Sequence, residues 1–278
     1  MEKFQNLNLL IDMALNEDLL DAGDITSEAI FSDETYSYRL VSKDTGVLCG
    51  IDIFSAVMER VDRRIIIKKY FTDTSRIKPG DIIADVSGPV ASILRAERTA
   101  LNFLSHLSAI ATKTAMFVNE AGGRVKILDT RKTIPGYREL QKYGVRCGGG
   151  ENHRMGLYDM VMIKDNHSDA AGGITNAVAK VRRKWGHMFR VEVEARNIEE
   201  VKEALSAGAD RIMLDNMTDG DMKKAVEYIA GGAETEASGN MNLERIKSVA
   251  GTGVDYISFG ELTNSVKAFD FSLKEVKE

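Results

Sequence analysis

Short apolar runs separated by amphipathic stretches fill the second half of the chain. Residues 125–128, 160–163, 189–193, 211–214, 234–237 and 255–259 read as strands, because bounded runs of this length suit strands buried on both faces. Residues 135–143, 174–185, 198–207, 219–229 and 243–250 place apolar side chains at helical spacing and read as helices. Strict alternation of the two predicts a parallel sheet, either doubly wound or closed into a barrel.

The first half has a different texture. Leu7, Leu10, Ile11, Ala14 and Leu15 fall at helical spacing and predict an amphipathic helix that ends before Asp21. Strand-like pieces at 36–50, 64–71 and 81–86 follow, with a helix at 53–61 and a turn at Lys78-Pro79-Gly80-Asp81. This irregular mixture predicts a separate α+β domain. Residues 95–120 are helical, as one helix or two, with Leu94, Leu101, Leu104, Leu107 and Ile110 as core candidates. Phe269, Phe271 and Leu273 recur at a period of two, which reads as a strand returning to the sheet of the first domain.

The carboxyl ends of the predicted barrel strands carry the chemistry. In order they are Asp129 with Arg131 and Lys132, Lys164 with Asp165 and Asn166, Glu194, Asp215 with Asn216, Glu236 with Ser238 and Gly239, and Gly260. In a barrel this face assembles the active site from several strands. The chain has a formal net charge of −5, yet Arg131, Lys132, Arg138, Lys142, Arg146, His153, Arg154, Lys164 and His167 crowd into residues 129–167 around Gly148-Gly149-Gly150. Such a basic focus suits a small polyanion, and the glycine run reads either as a sharp turn or as backbone N–H groups near an anion. Arg131 and Arg154 offer planar forks for carboxylate or phosphate, and Lys132 and Lys164 add compact charges.

Glu194 and Asp215 offer hard oxygen ligands of the kind Mg²⁺ accepts; salt bridges to Arg131, Arg154 or Lys164 are the alternative reading. Segments at Ser238-Gly239 and Gly260 are candidates for a phosphate seat. Arg98, beside Glu97, reads from the residues alone as half of a solvated charge pair, and His106 as a packing histidine. His153 and His167 lack zinc spacing.

Composition narrows the function classes. With 44% hydrophobic and 28% charged residues the chain resembles an ordinary soluble globular protein. No apolar run is long enough to span a bilayer, and the acidic start does not read as a secretory signal. The basic residues form no extended stripe, which argues against nucleic acid. Cys49 and Cys147 lie far apart and suggest no metal pair, so a reduced cytoplasm is expected.

Several longer segments go further. ERTALNFLSHLSAIAT, DTRKT, PGYRELQKYGVRCGGGENHR, MIKDNH, VEVE, IMLDN, EASGN and GVDYISFGELT, in that order, closely resemble the quinolinate phosphoribosyltransferase family over residues 24–265. The resemblance implies an α/β protein with two domains. An N-terminal α/β open sandwich, residues 1–105 completed by 266–278, precedes an incomplete, TIM-like α/β barrel of residues 106–265. It implies a pentosyltransferase that moves phosphoribosyl from phosphoribosyl pyrophosphate to quinolinate with decarboxylation, for NAD biosynthesis. Mg²⁺ is the expected cofactor, and at least a homodimer the expected assembly, with Arg98 reaching into the neighbouring subunit's site.

By the same resemblance Arg131, His153, Arg154 and Lys164 hold substrate, and Lys132 helps hold phosphoribosyl pyrophosphate and is a catalytic candidate. Glu194 and Asp215 lie near ribose and metal as catalytic residues, and Ser238, Gly239 and Gly260 bind phosphate. The chain departs from the pattern at Asn264 where histidine is usual, at Ala109 for glycine and at Ser168 for isoleucine. Asparagine donates to phosphate but never becomes cationic. Two rival readings remain: a relative acting on nicotinate or another aromatic acid, and a non-catalytic anion-binding barrel.

Overall fold

The computed structural model describes residues 4–276. In chain order the elements are α1 (Leu7–Leu19), α2 (Ile25–Ile30), β1 (Thr35–Ser42), β2 (Gly46–Val47), α3 (Ile51–Val61), β3 (Ile66–Lys69), β4 (Arg76–Ile77), β5 (Ile82–Pro89) and α4 (Val90–Ala121). There follow β6 (Lys126–Leu128), α5 (Arg138–Cys147), β7 (Val161–Ile163), α6 (Asp165–Ala171), α7 (Ile174–Trp185), β8 (Val191–Ala195), α8 (Ile198–Ser206) and β9 (Arg211–Asp215). The chain closes with α9 (Asp219–Ile229), β10 (Glu234–Ser238), a 3₁₀ turn Leu243–Arg245, α10 (Ile246–Ala250), β11 (Tyr256–Ser258), α11 (Glu261–Asn264) and β12 (Phe271–Glu275). By its contacts the chain divides into two units, one of residues 1–115, 134–149 and 263–278, the other of 116–133 and 150–262.

The first unit is built on a four-stranded antiparallel sheet in the order β12-β1-β5-β3. The period-two pattern near the C-terminus does form a strand of this sheet: β12 pairs with β1, with Leu273 opposite Leu40. Phe269 lies just ahead of it, stacked on Phe271 at 4.8 Å. The helical stretch is one helix of 32 residues, α4, and Leu101, Leu104, Leu107 and Ile110 on it are buried as expected. Leu94 is only half-buried.

Asp73 organises this core beyond its own turn. Its Oδ1 accepts from the N–H groups of Gly50 and Ile51 at 2.9 and 3.0 Å, and its Oδ2 accepts from the Tyr143 hydroxyl at 2.6 Å. It thereby satisfies N–H groups at the start of α3 that would otherwise lack partners. His106 has the packing role expected of it: its Nε2 meets Gln141 Nε2 at 2.9 Å, its ring meets Tyr137 edge-on, and burial lowers its pKa.

In the second unit six strands form a wholly parallel sheet in the order β6-β11-β10-β9-β8-β7. Its edges are β6 and β7, consecutive in the chain but not paired, so the barrel is open between them. Helices α8 and α9 start where Asn197 and Thr218 accept from backbone N–H groups of the first turn, the residue types that favour such positions. The short helix α6 has no counterpart among the expected elements. Its first turn is tied by His167 Nδ1, which accepts from the Lys164 N–H at 3.0 Å, and by the Ser168 hydroxyl, which donates to Asp165 O at 2.9 Å.

Candidate active site

Side chains alternate along a strand, so every second residue of β8, β9 and β10 shares a face. The register aligns Glu194 with Met213, Glu236 with Met213, and Ser238 with Asp215. These ladders bring the carboxyl ends of the strands around one cavity of about 590 Å³, a size suited to a small-molecule ligand. The strand-end residues Arg131, Lys132, Lys164, Glu194, Asp215, Ser238 and Gly239 line it, together with His153 and Arg154 of the basic focus. Thr130, Asn216, Asn240 and Ser258 join them: Asn216 is one of the expected strand-end residues, Asn240 and Ser258 adjoin the segments read as a phosphate seat, and to Thr130 the residues alone assign no role.

Not every expected residue is there. Gly260 lies beyond the end of β11 and is not among the lining residues. Arg98 and Asn264 belong to the first unit, where both are exposed. The basic focus itself divides: Arg138, Lys142 and Arg146 lie on α5, which the contacts assign to the first unit. The glycine run serves packing and a turn. A Cβ on Gly148 would lie 2.4 Å from Ala111 O and 2.6 Å from Thr114 Cβ on α4, and Gly149 has φ +87°.

Two guanidinium groups meet in the cavity. Burial, reinforced by the charge of Arg131, holds Arg154 below its ordinary pKa. Arg154 is oriented by its own donors, Nη1 to Met160 O at 3.2 Å and Nη2 to Met162 Sδ at 3.5 Å. Like charges brought together in this way favour an anionic ligand between them. Glu194 Oε2 accepts from Lys164 Nζ at 2.9 Å, so the salt bridge left open by the sequence is present. The Lys164 side chain is half exposed, so the pair adds little stability.

At the neighbouring strand ends, Asp215 Oδ2 accepts from Asn216 Nδ2 at 2.7 Å, and Asn216 Oδ1 accepts from Asn240 Nδ2 at 3.0 Å. Gly239 has φ +85°, and a Cβ there would strike Asn216 Oδ1 at 2.3 Å. Only glycine allows the backbone this approach. The donor set at this rim, two carboxylates among amide and hydroxyl oxygens, is the hard-oxygen chemistry that suits Mg²⁺.

Below the rim the structure corrects the reading of Glu236 as a strand-end residue. It is fully buried with Glu192, and His153 Nε2 lies 3.3 Å from Glu236 Oε2 and 3.0 Å from Glu192 Oε2. Burial, reinforced by the charge of Glu236, pushes the Glu192 carboxyl up to about 7. Burial also opposes the charged form of Glu236, but His153, Ser258 and Arg211 outweigh it and hold that acid below its usual range. For His153, burial opposes a charged ring, while the two carboxylates favour a proton on the nitrogen that faces them, Nε2.

A second cluster is hidden in the sequence because the chain separates its members. Cys49 and Cys147, expected to be unrelated, come together in the first unit with Asp73, their ligating atoms within 4.8 Å of one another. Burial raises the Cys49 thiol, and a hydrogen bond from Cys49 lowers Cys147.

Comparison with known proteins matches both parts of the chain. Residues 24–108 match the family model of the quinolinate phosphoribosyl transferase N-terminal domain, and residues 110–274 that of its C-terminal domain. A relative from Bacillus subtilis (strain 168), a probable nicotinate-nucleotide pyrophosphorylase (carboxylating), is 41% identical over 96% of this chain and 92% of its own length. The crystal structure of NadC from Streptococcus pyogenes superposes with a TM-score of 0.95 at 38% identity, covering 100% of both chains. The nicotinate-nucleotide pyrophosphorylase of Francisella tularensis gives a TM-score of 0.95 at 41% identity, covering 99% of this chain and 98% of its own.

Proposed function

The chain belongs to the quinolinate phosphoribosyltransferase family, and from that premise we propose how its cavity performs the family's reaction. The enzyme transfers phosphoribosyl from phosphoribosyl pyrophosphate to quinolinate and releases pyrophosphate and carbon dioxide, leaving nicotinate mononucleotide. The observation that carries this reading is the pair of guanidiniums, Arg131 and Arg154, set in one cavity with Lys132, Lys164, Glu194 and Asp215. A pyridine dicarboxylate offers two planar carboxylates that match the two forks.

Arg131 and Arg154 grip the carboxylates, with His153 beside them, and hold the ring nitrogen toward the anomeric carbon. Lys132 and Lys164 neutralise phosphate and carboxylate charge. Ser238 and Gly239, with Gly260 beyond them, seat the ribose phosphate, a role that suits a hydroxyl and glycine backbone at strand ends. Glu194 and Asp215 stabilise the positive character that develops on the ribose as the diphosphate departs. Mg²⁺ held by the same two acids would supply charge neutralisation to the diphosphate. No protein nucleophile is required, because the pyridine nitrogen attacks directly. Once ribosylated, the cationic ring stabilises the electron pair left on the ring carbon when the adjacent carboxylate leaves as carbon dioxide, and a proton from solvent then takes the carboxylate's place.

Arg98 completes the clamp from a second subunit in this reading, supported by its exposure on α4. Neither R98A nor R131A alone should turn over quinolinate well. Mixed and allowed to reassort, they should recover about a quarter of wild-type sites, because each mixed dimer contains one intact site. No recovery on mixing would confine the site to a single chain. A cytoplasmic setting belongs to the same proposal, supported by two free cysteines. Among the described residues no helix is long and apolar enough to cross a membrane. Turnover of quinolinate rather than nicotinate, with phosphoribosyl pyrophosphate and Mg²⁺, separates this function from its rivals.

A further inference from the structure

Interior positions of a barrel sheet are ordinarily filled by branched apolar side chains. Here Glu192 lies opposite Arg211 in register, and Arg211 opposite Glu234. Arg211 Nη2 donates to Glu234 Oε2 at 2.9 Å and its Nη1 to Glu236 Oε2 at 3.3 Å, while its guanidinium sits 4.1 Å from the Tyr256 ring centroid. Glu192 makes no well-aligned hydrogen bond with either oxygen among the described residues, and Glu236 Oε1 makes none. Two buried carboxylates so arranged cost stability, which points to a role in the site above them.

That role follows from the segment they face. Residues 151–154 belong to no strand; they follow α5 and reach β6, an edge of the open barrel, through the Leu128–Glu151 bridge and its two backbone hydrogen bonds, beyond which the backbone ladder ends. Side chains take the place of a ladder. Asp129 Oδ1 accepts from the His153 N–H at 2.9 Å, and Asp129 Oδ2 accepts from Asn152 Nδ2 at 2.5 Å. His153 Nδ1 accepts from the Arg154 N–H at 2.7 Å. That nitrogen therefore carries no proton, and the ring proton sits on Nε2, which faces Glu192 Oε2 at 3.0 Å and Glu236 Oε2 at 3.3 Å.

We infer that Glu192 and Glu236 are positioning residues for the substrate clamp: they hold the His153 ring, and the ring holds the backbone that delivers Arg154 to the cavity. The inference rests on the reading of the cavity as the quinolinate site. The two acids act indirectly, as do the outer partners that orient histidines elsewhere.

The test is a kinetic split with a conservative rescue. Glu192→Leu and Glu236→Leu should each raise the quinolinate KM about tenfold or more while the phosphoribosyl pyrophosphate KM stays within about twofold. Glu192→Gln and Glu236→Gln should recover most of the loss, since the amide oxygen still accepts from Nε2–H. Nitrogen NMR of wild-type protein labelled in histidine reads the same claim without any variant having to fold. His153 should show a protonated Nε2 and a bare Nδ1. Equal losses toward both substrates with a lowered Tm, or a proton found on Nδ1, would overturn the proposal. Wild-type protein that turns over no quinolinate would overturn the underlying reading, and the proposal with it, whatever the tautomer.

Discussion

Replacing Arg131 with alanine lowers kcat/KM for quinolinate by a factor between tens and a few thousand, a loss of about 2–5 kcal/mol, the range for truncating a buried charge-assisted contact. The reason lies in the pairing of Arg131 with Arg154, where the charge of one depresses the ionisation of the other. R131A removes one of the two guanidinium forks and with it the grip on the dicarboxylate. The expected split is a large rise in the quinolinate KM with little change in that for phosphoribosyl pyrophosphate. Steady-state kinetics in both substrates, with a thermal melt beside them, check it. Unchanged quinolinate kinetics would remove Arg131 from the clamp.

Glu194→Gln should act on the other half of the reaction. The substitution keeps the size of the side chain and removes the charge that faces the ribose as the diphosphate leaves. A fall in kcat of about a hundredfold to a thousandfold, ~3–4 kcal/mol, is expected, with the quinolinate KM changed far less. Lys164 loses its 2.9 Å partner in this variant, but that pair is half exposed on the lysine side and its loss should barely move the Tm. Single-turnover measurement of diphosphate release isolates the step. An unchanged rate would mean that the Glu194–Lys164 ion pair is structural.

The two variants probe residues that are legible in the sequence, and the reason is physical. A parallel strand buried on both faces is a bare apolar run, so its first polar residues mark its carboxyl end. Arg131, Lys164, Glu194 and Asp215 all stand at such boundaries, and all line the cavity. The return of the C-terminal strand to the first sheet is equally legible, because Phe269, Phe271 and Leu273 keep a period that no helix of the second half shares.

What escapes the sequence depends on register and on distant chain. Glu192 and Glu236 sit within strands, and nothing local distinguishes an inward acid from an outward one until the ladders align it with Arg211. The gap between β6 and β7 is likewise a property of pairing. The segment 129–167 reads as one basic focus only while neighbours in sequence stand for neighbours in space, whereas α5 packs in the first unit and takes Arg138, Lys142 and Arg146 with it. Cys49 and Cys147 meet for the opposite reason, two distant stretches buried in one core.

The most direct test of the proposed reaction follows the fate of one carboxylate. Quinolinate labelled in the carboxylate adjacent to the ring nitrogen is incubated with the purified protein, phosphoribosyl pyrophosphate and Mg²⁺, and labelled carbon dioxide is compared with nicotinate mononucleotide. The clamp and the decarboxylating step together predict equal amounts of the two, and no mononucleotide when nicotinate replaces quinolinate. Mononucleotide formed from nicotinate, or quinolinate bound without turnover, would contradict them.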